Sequence, residues 1–217
     1  MTRVRNKARI PLQKRSIETK EKILQAAWDL SAAKGYFKIT SHDLAQRAGV
    51  ATGSFYAYFN NKKEVAIELI KRFYKEASEK AFQNINRDVG DRATENLDNG
   101  KKLVRSLIRS LKESHEINPM IHQDAQALIL LDEDVNKMNK EEEKKIILFL
   151  INLLNQYKQF IRVDNIEDAA TMLFWISTEM IHRIMNDKED DKEERLLGEL
   201  EDIICRYLFI PFGDKNP

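Results

Sequence analysis

Cysteine occurs once, at position 205, in a chain of 217 residues. Neither an internal disulfide framework nor a thiolate metal site can be built from it, so Cys205 reads as a small core hydrophobe. Glycine (7) and proline (4) are also sparse, which excludes collagen-like and low-complexity sequence and leaves few chain breaks. No apolar run approaches the roughly 18 residues a membrane helix needs; the longest plain one runs from Ile146 to Ile151 and stops at Asn152. The charged stretch from Arg3 to Arg15 has no apolar centre or small-residue cleavage site, unlike a secretory leader, and a cytoplasmic location is expected. Alternating β-branched runs bounded by turn residues are missing, so an all-α protein is predicted. Nucleophile–base sets, glycine-rich phosphate loops and cofactor fingerprints are missing as well, which points to a non-enzyme that needs no cofactor.

What is present is a strong asymmetry of charge. Residues 1–75 hold 16 Lys/Arg against 6 Asp/Glu, a net +10, while residues 76–217 hold 20 against 29, a net −9. A basic module joined to an acidic one is the layout expected when one end meets phosphate and the other does not.

Apolar residues recur at helical spacing along nearly the whole chain, and about nine helices are predicted. A basic arm, residues 1–16, is expected to be flexible. A first helix over 17–34 places Ile23, Leu24, Ala27, Trp28 and Leu30 on one face and stops at Gly35. Thr40 and Asp43 have the spacing of a helix cap and open a short second helix to about 48. Gly49 turns the chain into a third short helix over 52–58. Asn61 and Glu64 open a fourth, running to about 85. Residues 86–100 read as a loop, and helices follow over 101–114, 119–132, 140–160, 166–185 and 192–208, the third of these apolar nearly all round.

Two short helices joined by a glycine turn, packed on a longer one in the basic third of the chain, are the parts of a helix-turn-helix. The stretch from Thr40 to Glu64 resembles the TetR family of bacterial transcriptional regulators. The likeness is carried by Ile23-Leu24, Ala26-Ala27, Gly35-Tyr36, Leu44-Ala45, Ala48-Gly49-Val50, Gly53-Ser54-Phe55-Tyr56, Tyr58-Phe59 and Lys62. It covers roughly residues 17–70. It implies a DNA-binding module over 17–60, a connecting helix over 61–85, and a ligand-binding and dimerisation domain over 86–217.

Carried over by position, the resemblance implies that the third helix enters the major groove while Thr40, Ser54, Tyr56, Tyr58 and Lys62 hold phosphates. From Ala51 to Tyr58 there is no Arg, Lys, Asn or Gln to pair bidentately with a base. Base reading is therefore expected from Ala51, Thr52 and Gly53, and the resemblance adds His42, at a second-helix position from which some family members reach a base edge. Two positions depart from the family pattern: Ala51 stands where a polar side chain is common, and Ser31 stands where Phe is common.

In the acidic part the resemblance implies a sensor cavity, with the last two helices pairing across a two-fold axis. Leu173, Ile176, Met180, Leu196, Leu200, Ile203, Ile204 and Tyr207 are the expected dimer-interface residues. Polar or aromatic side chains interrupting the apolar faces, His122, Gln126, Tyr157, Trp175, Thr178, Glu179 and His182, are the expected ligand contacts. The function implied is a homodimeric repressor of a palindromic double-stranded operator, released by a small, largely apolar effector. A regulator controlled by a protein partner is the alternative. A remoter one is a di-iron oxidase, because Glu179-Met-Ile-His182 is a Glu-x-x-His pair, although no second such pair occurs.

Overall fold

The computed structural model describes residues 14–88, 97–116, 119–186 and 190–209. Among them are nine α-helices: α1 (Lys14–Lys34), α2 (Ser41–Arg47), α3 (Thr52–Tyr58), α4 (Lys62–Asp88), α5 (Leu97–Glu116), α6 (Pro119–Leu131), α7 (Glu133–Gln156), α8 (Ile166–Asn186) and α9 (Asp190–Leu208). A single 3₁₀ turn, Tyr36–Lys38, links α1 to α2, and one isolated antiparallel bridge pairs Ile161 with Phe209. The all-α expectation holds. No described helix is long and apolar enough to cross a membrane.

The helix ends follow local chemistry. Thr40 and Asp43 form a full capping box at α2: the Asp43 N–H donates to Thr40 Oγ1 at 3.1 Å, and the Thr40 N–H donates to Asp43 Oδ2 at 2.8 Å. Gly35 and Gly49 both take positive φ, 80° and 65°, where a side chain would be strained. The Asn61 side-chain Oδ1 accepts the Glu64 N–H at α4, and Asn165 Oδ1 does the same for Asp168 at α8. Several boundaries differ from the sequence reading. The first helix begins at Lys14, so Lys14, Arg15 and Ser16 are helical rather than part of an arm. The rest of the arm, residues 1–13, lies outside the described residues. α4 continues to Asp88, and α5 starts at Leu97 within the expected loop. α7 starts at Glu133, because Asp132 accepts the N–H groups of Asp134 and Val135 and so nucleates a helix seven residues early.

The described residues form two compact units, and the boundaries fall inside α4, between α5 and α6, and inside α7. In the first, α1, α2, α3 and the first part of α4 pack with α6 and the start of α7 around Ile23, Leu24, Ile39, Leu44, Phe55, Phe59, Val65, Leu128 and Val135. Burying each large side chain of this set contributes about 1.5–3 kcal/mol. Two ion pairs fasten α1 to α4: Lys20 to Glu68 at 3.0 Å, and Arg72 to Glu21 by two nitrogens, at 2.7 and 2.5 Å.

The second unit holds the remainder of α4 and α7 with α5, α8 and α9. Its core contains Leu103, Ile108, Leu153, Tyr157, Ala169, Ala170, Ile181, Leu200, Ile204, Leu208 and Phe209. Close packing explains the glycine at position 100: a Cβ there would lie 2.8 Å from Cζ of Phe209. Half-buried Cys205 packs against this core, and burial pushes its thiol up to about 11.

Candidate nucleic-acid interface

In the first unit the chain between α2 and α3 turns at Gly49, closed by Gly49 N–H to Gln46 O at 3.1 Å and Val50 N–H to Ala45 O at 3.0 Å. Leu44, Ala45 and Phe55 anchor the two short helices in the core, with Phe55 fully buried. That anchoring fixes which edge of α3 faces outward. Ala51, Thr52, Gly53 and Tyr56 are exposed, Tyr56 by 51%. A Cβ added at Gly53 would meet nothing within 4 Å, so the backbone there is open to approach. Ala51 gives α3 no side-chain cap. His42 on α2 is exposed and comes within 3.5 Å of Thr52 Oγ1 through Nδ1, so the two polar base-reading candidates share one patch. Ser54 is half-buried beside them.

Three of the expected phosphate contacts have hydrogen-bond partners within the protomer. The Thr40 hydroxyl accepts the Asp43 N–H and donates to Asp43 Oδ2 at 2.9 Å, so its proton is committed to the cap. The Thr40 backbone N–H and then its hydroxyl, both donating to the Asp43 carboxyl, hold it below the usual carboxylate range. The Tyr58 hydroxyl lies 3.0 Å from Ser16 Oγ and ties the end of α3 to α1. Lys62 turns inward. Its ammonium donates to the carbonyls of Ile39 at 2.9 Å and Tyr36 at 3.2 Å and sits 4.4 Å from the centroid of the Tyr36 ring. At the first position of α4 a cation opposes the helix dipole, and the carbonyls that close the 3₁₀ turn offset that. Desolvation by this burial lowers the Lys62 pKa, with Asp124 acting in the opposite direction.

Asp124 of α6 accepts the Tyr36 N–H at 2.5 Å, so the segment leading into α2 is held from two sides. Between these groups lies a cavity of about 20 Å³, lined among others by Ser31, Tyr36, Lys62, Asp124, Ala125 and Leu128. Room for about one water is what a serine leaves where a larger side chain would fill the core. A cation that the sequence reading passed over is Lys38, exposed two residues ahead of the Thr40 cap. Its place beside a helix-turn-helix entry was the available signal.

The expected sensor residues are divided between the two units. His122 on α6 is half-buried against the Phe73 ring, centroids 5.8 Å apart, and Gln126 is exposed. In the second unit Tyr157 is 2% exposed within the core, where burial pushes its hydroxyl up to about 12. Trp175 is 55% exposed and Glu179 is exposed and paired with Arg183 at 2.6 Å, so neither lines an enclosed cavity. Thr178 and His182 are half-buried.

The expected interface set divides by exposure within the protomer. Leu173, Leu200 and Ile204 are covered by their own chain, at 9%, 2% and 5% exposure. Ile176, Ile203 and Tyr207 are exposed, Met180 and Leu196 half-buried. Met172 and Trp175 extend the exposed apolar surface of α8.

Comparison with known proteins agrees with this architecture. Residues 23–69 match the sequence model of the bacterial regulatory proteins of the tetR family. A fatty acid metabolism regulator protein of Bacillus subtilis (strain 168) is 33% identical over 72 residues, 33% of this chain and 35% of that protein, so the match spans about a third of the relative's length. Among solved structures, the fatty acid degradation regulator FadR from Bacillus halodurans aligns over 97% of this chain and 100% of its own, with 22% identity and a TM-score of 0.63. SmeT, the repressor of the Stenotrophomonas maltophilia multidrug efflux pump SmeDEF, aligns over 92% and 98% with 19% identity and a TM-score of 0.63. A transcriptional regulator from Saccharomonospora viridis in complex with choline aligns over 89% and 99% with 16% identity and a TM-score of 0.68. At these identities the structural likeness speaks for the fold.

Proposed function

The chain belongs to the tetR family of bacterial regulatory proteins, and from that premise we propose that it is a DNA-binding transcriptional repressor acting in the cytoplasm as a homodimer on a palindromic operator. The observation that carries this reading is the outward edge of α3. A seven-residue helix is held by Phe55 in a core, turned at Gly49, and left open at Thr52, Gly53 and Tyr56 beside His42. Small contacts and close backbone approach then read the major groove, Thr52 through its hydroxyl or methyl and Ala51 through a thymine methyl. Tyr56, Ser54 and Lys38 hold phosphates, which position the module without reading sequence. The net +10 of residues 1–75 supplies the sequence-independent attraction.

The dimer is assigned to the exposed apolar side chains of the last two helices, Met172, Trp175 and Ile176 of α8 with Ile203 and Tyr207 of α9. Two-fold symmetry of such a pair matches that of a palindrome. A small, largely apolar effector is proposed to bind the acidic domain and weaken operator binding. Solved relatives holding choline and triclosan support a ligand response.

Nuclease protection of the DNA flanking the protein's own gene tests the reading. The expected result is a protected palindrome whose half-sites lie about 34–36 Å apart or a multiple of that. In binding-site selection, Thr52→Ala should change the preference at one base step per half-site and leave the rest. Uniform binding to all DNA, with no protected site, would overturn the proposal.

A further inference from the structure

Two imidazoles of the second unit have no part in the function proposed above. His115 stands in the last turn of α5 and His182 on α8, their ring centroids 4.8 Å apart and their planes inclined by 59°. His115 is buried at 6% exposure and His182 is half-buried. Nδ1 of His115 lies 2.7 Å from the carbonyl oxygen of Leu111, one turn earlier. A carbonyl only accepts, so Nδ1 carries the proton and the lone pair remains on Nε2. That is the tautomer of a metal ligand, and an Nδ1–H bond to a backbone carbonyl is the usual device for orienting one.

Burial disfavours the charged form of both rings. Desolvation pushes His115 down to about 4, with His182 adding to the effect, and desolvation also lowers His182, against the pull of Glu179. Neutral imidazole is the form that binds metal without first releasing a proton.

We propose that His115 and His182 form a two-imidazole site for a borderline divalent transition metal of the Ni²⁺, Cu²⁺ or Zn²⁺ class, with water completing the coordination. A ring nitrogen of each lies within 4.8 Å of one on the other. An ion at about 2.0–2.1 Å from both needs the nitrogens no more than about 4.2 Å apart. A closing rotation of His182, the less buried ring, is therefore required. The donor set selects the metal class: imidazole suits Ni, Cu and Zn, whereas Mg²⁺ and Ca²⁺ require oxygens. Glu179, one turn before His182, is engaged with Arg183. The site also differs from a di-iron centre, since it joins one histidine each from α5 and α8 and needs no second Glu-x-x-His pair.

The test uses the full-length chain without an affinity tag, stripped with chelator and titrated calorimetrically with NiCl₂, ZnCl₂ and MgCl₂. We expect one saturable equivalent of Ni²⁺ or Zn²⁺ per chain and no Mg²⁺ uptake. His182→Ala, its fold checked by circular dichroism, should weaken Ni²⁺ by at least about 10-fold, the lower end of what even an outer-shell loss costs. His115→Asn should do the same. Absence of saturable uptake by the wild type, or equal uptake by the wild type and His182→Ala, would overturn the assignment. None of these readouts involves DNA, so the outcome is separable from that of the function proposed above.

Discussion

Lys62→Met separates two roles for a lysine at the start of α4. A phosphate-binding lysine releases counterions. Its removal makes the slope of log affinity against log salt shallower by about 0.9 per contact, hence by about 2 per dimer. The structure gives Lys62 another occupation, with its ammonium on the carbonyls of Ile39 and Tyr36 at 2.9 and 3.2 Å. Methionine keeps most of the aliphatic stem and removes the charge. Two charge-assisted hydrogen bonds to a half-buried lysine, less the desolvation that forming them costs, contribute about 1–2 kcal/mol in total. Some of that loss appears in folding and some in the placing of the α2 entry, because Ile39 directly precedes the Thr40 cap.

Lys62→Met should therefore lower the melting temperature by about 2–8 °C. It should weaken operator binding by up to about 30-fold, the factor that 2 kcal/mol allows. The salt slope should stay at its wild-type value. Fluorescence anisotropy between about 50 and 200 mM salt spans the range in which the slope is measured. A slope shallower by about 2, together with an unchanged melting temperature, would refute the inward placement and return Lys62 to the DNA backbone.

The remaining predictions concern the second unit. Ile203→Glu, on the exposed side of α9, should give a folded monomer by analytical ultracentrifugation, whereas Leu200→Glu, at 2% exposure, should fail to fold; a folded, dimeric Ile203→Glu would exclude that face as the interface. Trp175→Ala should weaken dimerisation and leave the affinity for an effector found by thermal-shift screening unchanged, the reverse of what a pocket residue would do. Gly100→Ala places a methyl group 2.8 Å from the buried Phe209 ring and should destabilise the chain by about 1–3 kcal/mol in denaturant unfolding, as overpacking does.

What the sequence makes legible here is chemistry that acts within one helical turn. Thr40 with Asp43, Asn61 with Glu64, and Gly35 and Gly49 at positive φ are local statements, and each stands where the spacing places it. Where distant partners decide, the reading goes astray. Asp98, Asn99 and Gly100 look like loop residues, yet they lie in the first turn of α5, and the glycine answers to Phe209, more than a hundred positions away. The Lys62 side chain follows carbonyls 23 and 26 residues earlier in the chain. The Tyr58 hydroxyl follows Ser16, 42 residues earlier.

The candidate interface divides along the same line. Its frame was readable, because a glycine turn and a buried Phe55 fix which edge of α3 points out, whereas the direction of each polar side chain on that frame was not. Leu200 and Ile203 state the difficulty most sharply. Three residues apart on α9, they lie about 60° apart around its axis and belong to one apolar stripe. Hydrophobicity alone cannot tell which of them its own core takes and which is left for a partner. Packing against α5 and α8 decides it, at 2% exposure for one and 56% for the other. An apolar stripe wider than one core can cover thus signals in sequence that a partner exists, and only the folded protomer says which residues remain for it.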